Sequence, residues 1–249
     1  MSGANDKRLQ NEIALGKFLI GHGAGEIWNW ETPAGRLRWR WRAEMLVSPV
    51  TPAMRVLEIG CGTGYLTKEL AKTSACVTAT DISMDLLHVA RNAVGSPHVK
   101  FSLSNAYALS FADRTFDTVI GSSVLHHLDV DKALREFFRV LRPGGTIACT
   151  EPNMLNPQIM LQKNVPFIKK AMGDSPDETA FFAWQLKRML AAYGFTGISI
   201  TPFDFLHPKI PALLLPVFKP LCAVIERIPV VREIAGSLYI RAQRPCSPP

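Results

Sequence analysis

From Arg55 onward the chain alternates short apolar runs with helical patterns, and that alternation leaves few folds open. Strands are predicted at Val56–Ile59, Cys76–Thr80, Lys100–Leu103, Thr118–Ile120 and Thr146–Thr150, with helices at about Gly64–Thr73, Met84–Val94 and Asp131–Leu141 between them. Strand, helix and strand at this spacing make a crossover unit whose two strands lie parallel. The implied fold is α/β, a doubly wound sheet with helices on both faces. Pro143-Gly144-Gly145 reads as a sharp stop before the fifth strand. A further helix is predicted at about Thr179–Tyr193, capped by the segment Ser175–Thr179, with strands near Ile198–Ile200 and at Ser237–Arg241.

Around this core, residues 1–53 read as an N-terminal helical cap, 54–201 as the sheet domain, 202–236 as a proline-punctuated apolar insertion, and 237–249 as a last strand and tail. All belong to one domain, an ordinary size for 249 residues. The five cysteines are scattered, with no CxxC or Cys/His spacing. Reduced thiols in a cytoplasmic protein, and no metal site, are therefore expected. The polar N-terminus lacks the apolar core of a secretion signal, and no apolar run reaches membrane-spanning length.

A net charge of +7 invites a polyanion partner, and Arg36-Leu37-Arg38-Trp39-Arg40-Trp41-Arg42 concentrates that charge. Arginines interleaved with tryptophans can grip phosphates and stack bases. The simpler reading is an amphipathic helix with Leu37, Trp41 and Met45 on its inner face and several arginines in water. No nucleic-acid partner is expected.

The first strand runs through Glu58 into Gly60-Cys61-Gly62-Thr63-Gly64 and then a helix. Glycines there let the backbone turn tightly and come close to a ligand. Dinucleotide-binding proteins carry such a loop too, but with GxGxxG spacing and a pyrophosphate that Glu58 would repel. A cationic ligand suits Glu58, which can hold the loop or a water. Asp81 ends the second strand, where an acid accepts hydrogen bonds from ribose hydroxyls.

Joined by Phe116-Asp117-Thr118-Val119-Ile120, Leu125-His126-His127-Leu128 and Leu141-Arg142-Pro143-Gly144-Gly145, this pattern resembles the class I S-adenosylmethionine-dependent methyltransferases. It looks closest to their small-molecule branch, which includes the ubiquinone- and sterol-type enzymes. The resemblance covers about residues 40–200. It implies a Rossmann-like sheet of about seven strands, the last antiparallel, and S-adenosylmethionine as cofactor, with S-adenosylhomocysteine as product. Gly60, Cys61, Gly62 and Gly64 would then surround the methionine part, Asp81 the ribose and Ile82 the adenine. Asn105 and Ala106 match the pair that reads the adenine edge, with Asn105 standing where the family usually has Asp. Ser122 matches a position whose backbone carbonyl faces the ammonium.

His126 and His127 fall just past the fourth strand, at the edge where open sheets bind ligands. His126 is the first candidate for a general base and His127 the second, since imidazole titrates near neutral pH; both also fit a purely structural role. Glu151 and Asn153, past the fifth strand, are expected to line the acceptor pocket. The absence of Asn/Asp-Pro-Pro-Tyr at the fourth strand counts against nucleic-acid bases as acceptors. The insertion 202–236 mixes large apolar residues with Lys209, Lys219, Arg227 and Arg232. It reads as a lid over a lipophilic acceptor, as a peripheral membrane contact, or as a dimer face, so monomer and homodimer both stay open. The expected function is biosynthetic methylation of a lipophilic or aromatic small molecule. The alternatives are a non-catalytic cofactor-binding scaffold and a nicotinamide dehydrogenase.

Overall fold

The computed structural model describes residues 3–172, 174–175 and 177–246, so Pro176 of the anticipated capping segment lies outside them. Among the described residues there are seven strands: β1 (Arg55–Ile59), β2 (Cys76–Asp81), β3 (Val99–Leu103), β4 (Phe116–Ser122), β5 (Leu141–Pro152), β6 (Thr196–Phe203) and β7 (Ser237–Gln243). They form one sheet in the order β3-β2-β1-β4-β5-β7-β6. Strands β1 to β5 pair in parallel, whereas β7 slots between β5 and β6 antiparallel to both.

Three helices precede the sheet: α1 (Gly3–His22), α2 (Ala24–Ile27) and α3 (Pro33–Val47). The crossovers are α4 (Tyr65–Ala71), α5 (Met84–Ala93) and α6 (Val130–Val140). After β5 come α7 (Pro157–Asn164), α8 (Pro166–Ala171) and α9 (Ala183–Ala192), and between β6 and β7 lie α10 (Leu215–Ile225) and α11 (Pro229–Arg232).

Period-two and helical patterns meet in two core layers. On one face, Leu57, Val119, Ile147 and Ile240 pack against Leu134 and Phe137 of α6 and Leu186 and Leu190 of α9. On the other, Val56, Val77 and Ile120 pack against Leu46 of α3 and Leu66 and Leu70 of α4. The Asp129 side chain starts α6 by accepting the Lys132 N–H, as its place before the apolar periodicity requires.

Two expectations need correction, and one pair of helices was not anticipated. Pro143-Gly144-Gly145 does not stop the chain before β5 but sits inside it, in a bulge. Leu141 pairs with Phe116, and the next registered pair is Thr146 with Thr118. Backbone bonds to Arg244 on both sides of the bulge, with Gly144 at φ 79°, keep it in the sheet. Next, α9 begins at Ala183, because Glu178 folds back to accept the Ser175 N–H instead of opening a helix. Finally, α7 and α8 have no sequence forecast, since neither buries a residue completely and no apolar stripe marks them.

The arginine-rich segment is the helix α3, capped by Thr32 with Pro33 in its first turn. Leu37 and Trp41 face inward as expected, against Leu206, Ile210 and Phe218. Two arginines also face inward, which the simple amphipathic reading did not foresee. Arg38 grips both carboxylate oxygens of the buried Asp204, and Arg42 donates to Ser123 and Ser237 at 2.7 Å each while lying 3.7 Å from Asp204. Burial lowers the Arg42 pKa, and Asp204 is the chief group opposing that. Asp204 itself stands in the left-handed region at φ 80°, so its position is held by these partners rather than by backbone preference.

Asp204→Asn keeps shape and tolerates the left-handed backbone, so it isolates the charge. Removing one member of a buried ion pair typically costs about 3–5 kcal/mol. A urea-unfolding midpoint unchanged from wild type would show that the two serines suffice to hold Arg42.

Candidate active site

The strand order reverses between β1 and β4, and such a switch point leaves a crevice at the carboxyl ends of the strands. A cavity of about 450 Å³ fills it. Its floor is the loops after β1, β2, β3 and β4, and its roof is α1, the turn carrying Trp28 and Trp30, α3, and the α7–α8 pair.

All three glycines of the first loop have positive φ, 64° at Gly60, 53° at Gly62 and 86° at Gly64. A Cβ on Gly60 would stand 2.5 Å from Val124 Cγ2, whereas one on Gly62 would meet nothing within 4 Å. Gly60 is thus demanded by packing, and Gly62 leaves backbone open beside the cavity. The Gly62 N–H donates to Asp81 Oδ2 at 2.9 Å and the Ser83 N–H to Oδ1 at 2.8 Å. Burial raises the Asp81 pKa, and these amides work against that. Each carboxylate oxygen keeps a further lone pair for a ligand.

The structure brings Gly60, Gly62, Asp81, Ile82, Asn105, Ala106, Ser122, His126 and His127 to this one cavity. Asn105 already accepts the Tyr107 N–H through Oδ1, with one lone pair left over. Glu58, Cys61 and Gly64 stand behind the wall. Gly64 begins α4, and a Cβ there would press on Ala90 and Val94. Burial pushes the Cys61 thiol up, which makes it an inert packing group. Glu58 is buried with Oε2 unpartnered among the described residues. Burial, with Asp81 adding and Thr67 opposing, pushes its pKa from 4.5 to about 8.

Glu151 does not line the cavity. It is fully buried and organises the loop after β4, accepting the N–H of Val124 at 3.0 Å, of Leu125 at 2.8 Å and of His126 at 3.3 Å. Val124 and Leu125 donate to Oε1, whereas His126 Nδ1 lies 2.7 Å from Oε2, the oxygen that also accepts the His126 N–H. An ionised Glu151 makes Nδ1 the donor and leaves Nε2 for the cavity. Burial holds the His126 pKa well below its usual value, so the ring is neutral at neutral pH. Asn153 is likewise withdrawn, donating to the carbonyls of Glu233 and Ala235. Both residues were expected in the acceptor pocket, and both instead brace the carboxyl end of β5.

Sequence reasoning missed much of the remaining wall. Glu12 of α1 approaches His127 Nδ1 at 3.1 Å, and Glu178 approaches it at 3.7 Å. Burial opposes the charged form of His127, but the Glu12 carboxylate, then Glu178 and Glu151, outweigh it and raise the pKa. Lys163 bridges Asp174 at 2.8 Å and Glu178 at 2.9 Å. Trp28, Trp30 and Trp39 form an aromatic flank whose rings meet at tilted angles with centroids 4.7 and 4.5 Å apart. No local pattern announces these groups, because they come from segments far apart in the chain. The apolar insertion does not wall the cavity, apart from Gly236 at its end. It covers α3 instead.

Residues 57–149 match the model of the methyltransferase domain family. The methyltransferase GfsG of Streptomyces halstedii is 40% identical over 108 residues, which cover 41% of this chain and 39% of that protein. Demethylmenaquinone methyltransferase of Streptomyces griseus is 29% identical over 157 residues, covering 60% of this chain and 67% of that one. The chain spans about two fifths of the length of the first curated relatives it matches. A SAM-dependent methyltransferase structure from Thermotoga maritima superposes with a TM-score of 0.67 at 17% identity, over 94% of this chain and 99% of that one, and so shares the fold.

Glu58 supplies a pH test of this geometry. Its folded pKa lies above its unfolded value, so the unfolded chain loses the proton first as pH rises. Wild-type stability should fall relative to Glu58→Gln between about pH 4.5 and 8, with the gap constant above that range. Parallel denaturation curves across this window would mean that Glu58 ionises freely in the native state.

Proposed function

We propose that the chain is a class I S-adenosylmethionine-dependent methyltransferase that methylates a lipophilic or aromatic small molecule, a reading supported by the methyltransferase-domain match and the methyltransferase relatives. The observation carrying this reading is that one cavity joins the glycine loop and Asp81 to the His126–His127 cluster, with apolar and aromatic side chains between. That relatives carry the name demethylmenaquinone methyltransferase agrees with an acceptor of this class.

The residues suit the cofactor. Gly62 leaves open backbone beside the cavity, and Asp81 keeps free lone pairs for ribose hydroxyls. When bound, S-adenosylmethionine supplies an electrophilic methyl on a sulfonium leaving group. Gly60 and Gly62 would hold the methionine part, Asp81 the ribose, Ile82 and the Asn105–Ala106 pair the adenine, and the Ser122 carbonyl the ammonium. The protein's main task is then to fix the acceptor in line with the methyl. His126, oriented by Glu151, would take a proton from an acidic acceptor through Nε2.

Membrane contact belongs to the same proposal. Leu213, Val217 and Val230 on the insertion and Phe167 on α8 point into water, and Leu213 is 86% exposed. No acid lies within 205–225 or 154–172, while Lys169, Lys170, Lys209 and Lys219 do. An apolar, basic face of this kind suits an anionic lipid surface, the natural source of a lipophilic acceptor.

Calorimetry is expected to show S-adenosylhomocysteine binding and no NAD binding. Asp81→Ala should weaken that binding by about 1.5–3 kcal/mol, the range for hydrogen bonds to a charged group. His126→Ala should lower turnover by roughly 10²–10⁴-fold at nearly unchanged cofactor affinity. Binding without turnover on any lipophilic acceptor would favour the scaffold reading.

Co-sedimentation with phosphatidylserine vesicles, weakened by salt, tests the membrane contact. The informative variant is Leu213→Asp with Val217→Asp, since Phe218 packs against α3. Wild-type protein that ignores the vesicles would return the exposed face to a dimer contact, read by light scattering.

A further inference from the structure

The polar end of the cavity holds more ligating groups than proton transfer needs. One donor atom each from His126, His127 and Glu178 lies within 4.8 Å of the other two. We infer that His126, His127 and Glu178, completed by Glu12 from the roof, form a binding site for a first-row divalent transition ion such as Zn²⁺.

Distances carry the first part of the case. A tetrahedral ion with bonds of about 2.1 Å has ligands roughly 3.4 Å apart. His127 Nδ1 stands 3.1 Å from Glu12 Oε2 and 3.7 Å from Glu178 Oε1, on either side of that edge. The His126 donor lies within 4.8 Å of those of His127 and Glu178, so side-chain shifts of at most about 1.4 Å would close the set.

Unsatisfied valence carries the second. Among the described residues, His127 Nδ1 and Glu12 Oε1 are buried atoms without a hydrogen bond of good geometry, although His127 Nδ1 lies 3.1 Å from Glu12 Oε2. Two orphaned polar atoms side by side in a cavity are costly unless something occupies the space between them. A cation satisfies both at once.

The surroundings are those of a ligand set. His126 offers one nitrogen because the other meets the buried Glu151, the carboxylate–histidine arrangement that orients imidazoles toward metals. Lys163 takes Glu178 Oε2 and the Ser175 N–H takes Oε1, which fixes that carboxylate in place. Glu12, Asp174 and Glu178 bring three carboxylates to the imidazoles, with Lys163 paired to Asp174 and Glu178 and Lys169 held on the Glu178 carbonyl. The Glu12 carboxylate, which has no lysine or arginine ion pair among the described residues, supplies the negative charge a dication needs. Two imidazoles exclude Mg²⁺ and Ca²⁺, which take oxygen ligands, and select borderline transition ions.

The inference rests on the cavity proposed above as the acceptor site, where such an ion would polarise an acceptor oxygen. His126 would then serve as a ligand, and its loss would lower turnover by either route. The deciding experiment therefore reads the metal. Full-length protein is stripped with chelator, dialysed, and titrated with Co²⁺ while its visible absorption is followed. One equivalent should bind with the intense ligand-field bands of a four-coordinate N/O site, and Zn²⁺ but not Mg²⁺ should displace it. His127→Ala, Glu178→Gln and Glu12→Gln should each weaken Co²⁺ binding at least tenfold, while His88→Ala, on the exposed face of α5, should leave it unchanged. Substoichiometric or six-coordinate Co²⁺ in the wild type overturns the assignment, as does tight binding that survives His127→Ala. S-adenosylhomocysteine affinity measured on the same samples reports that the variants are folded. Retained cofactor binding without Co²⁺ binding would sink the metal site alone, whereas loss of cofactor binding in wild type would sink the methyltransferase reading.

Discussion

One buried carboxylate ties the ligand edge of this sheet together. Glu151, at the end of β5, receives three consecutive amides and an imidazole from the loop after β4. A buried carboxylate is costly on its own, and this many donors are what make it tolerable. The bonds fix Val124, whose side chain occupies the space that a Cβ on Gly60 would need. The loops after β1 and β4 therefore interlock, and a constraint on the third strand end in the row sets the shape of the first. The glycine at position 60 is as much a consequence of Glu151 as of any ligand.

The same interaction explains what was legible in the sequence. Motifs confined to one strand and its following loop, such as Glu58–Gly64 or Asp81–Ser83, could be read, because spacing along the chain translates directly into spacing at the sheet edge. The seven strands were readable for the same reason, since burial imposes its period on contiguous residues. Glu151 was placed at the correct strand end but pointed the wrong way. An acid after a strand looks the same whether it faces a pocket or turns back to collect neighbouring amides, and only tertiary structure distinguishes the two.

The roof was the illegible part. Glu12 and Glu178 meet around His127 although some 166 residues separate their neighbours Asn11 and Asp177, which are themselves hydrogen bonded. Nothing local to either segment encodes that meeting. The arginine-rich helix failed for a related reason. Its apolar stripe was real, but Asp204 gave two of its arginines a buried partner that the helix sequence does not contain. A charge is read as solvated until its counterion is found.

These two halves differ in kind. Floor contacts come largely from backbone groups at strand ends, so the sheet topology itself supplies them, and any chain that adopts this strand order inherits them. Roof contacts come from side chains on α1, α3 and α7–α8, joined to the sheet by polar ties such as Arg38–Asp204 and Glu12–His127 rather than by sheet hydrogen bonds. Such ties depend on individual side chains rather than on the strand order. The family model matches residues 57–149, which carry much of the floor, whereas α1, α3 and α7 lie outside that match. Glu12, Trp28, Trp30, Trp39, Lys163 and Glu178 of the cavity wall thus lie outside the residues that the family model matches, and their chemistry has to be read from this chain alone.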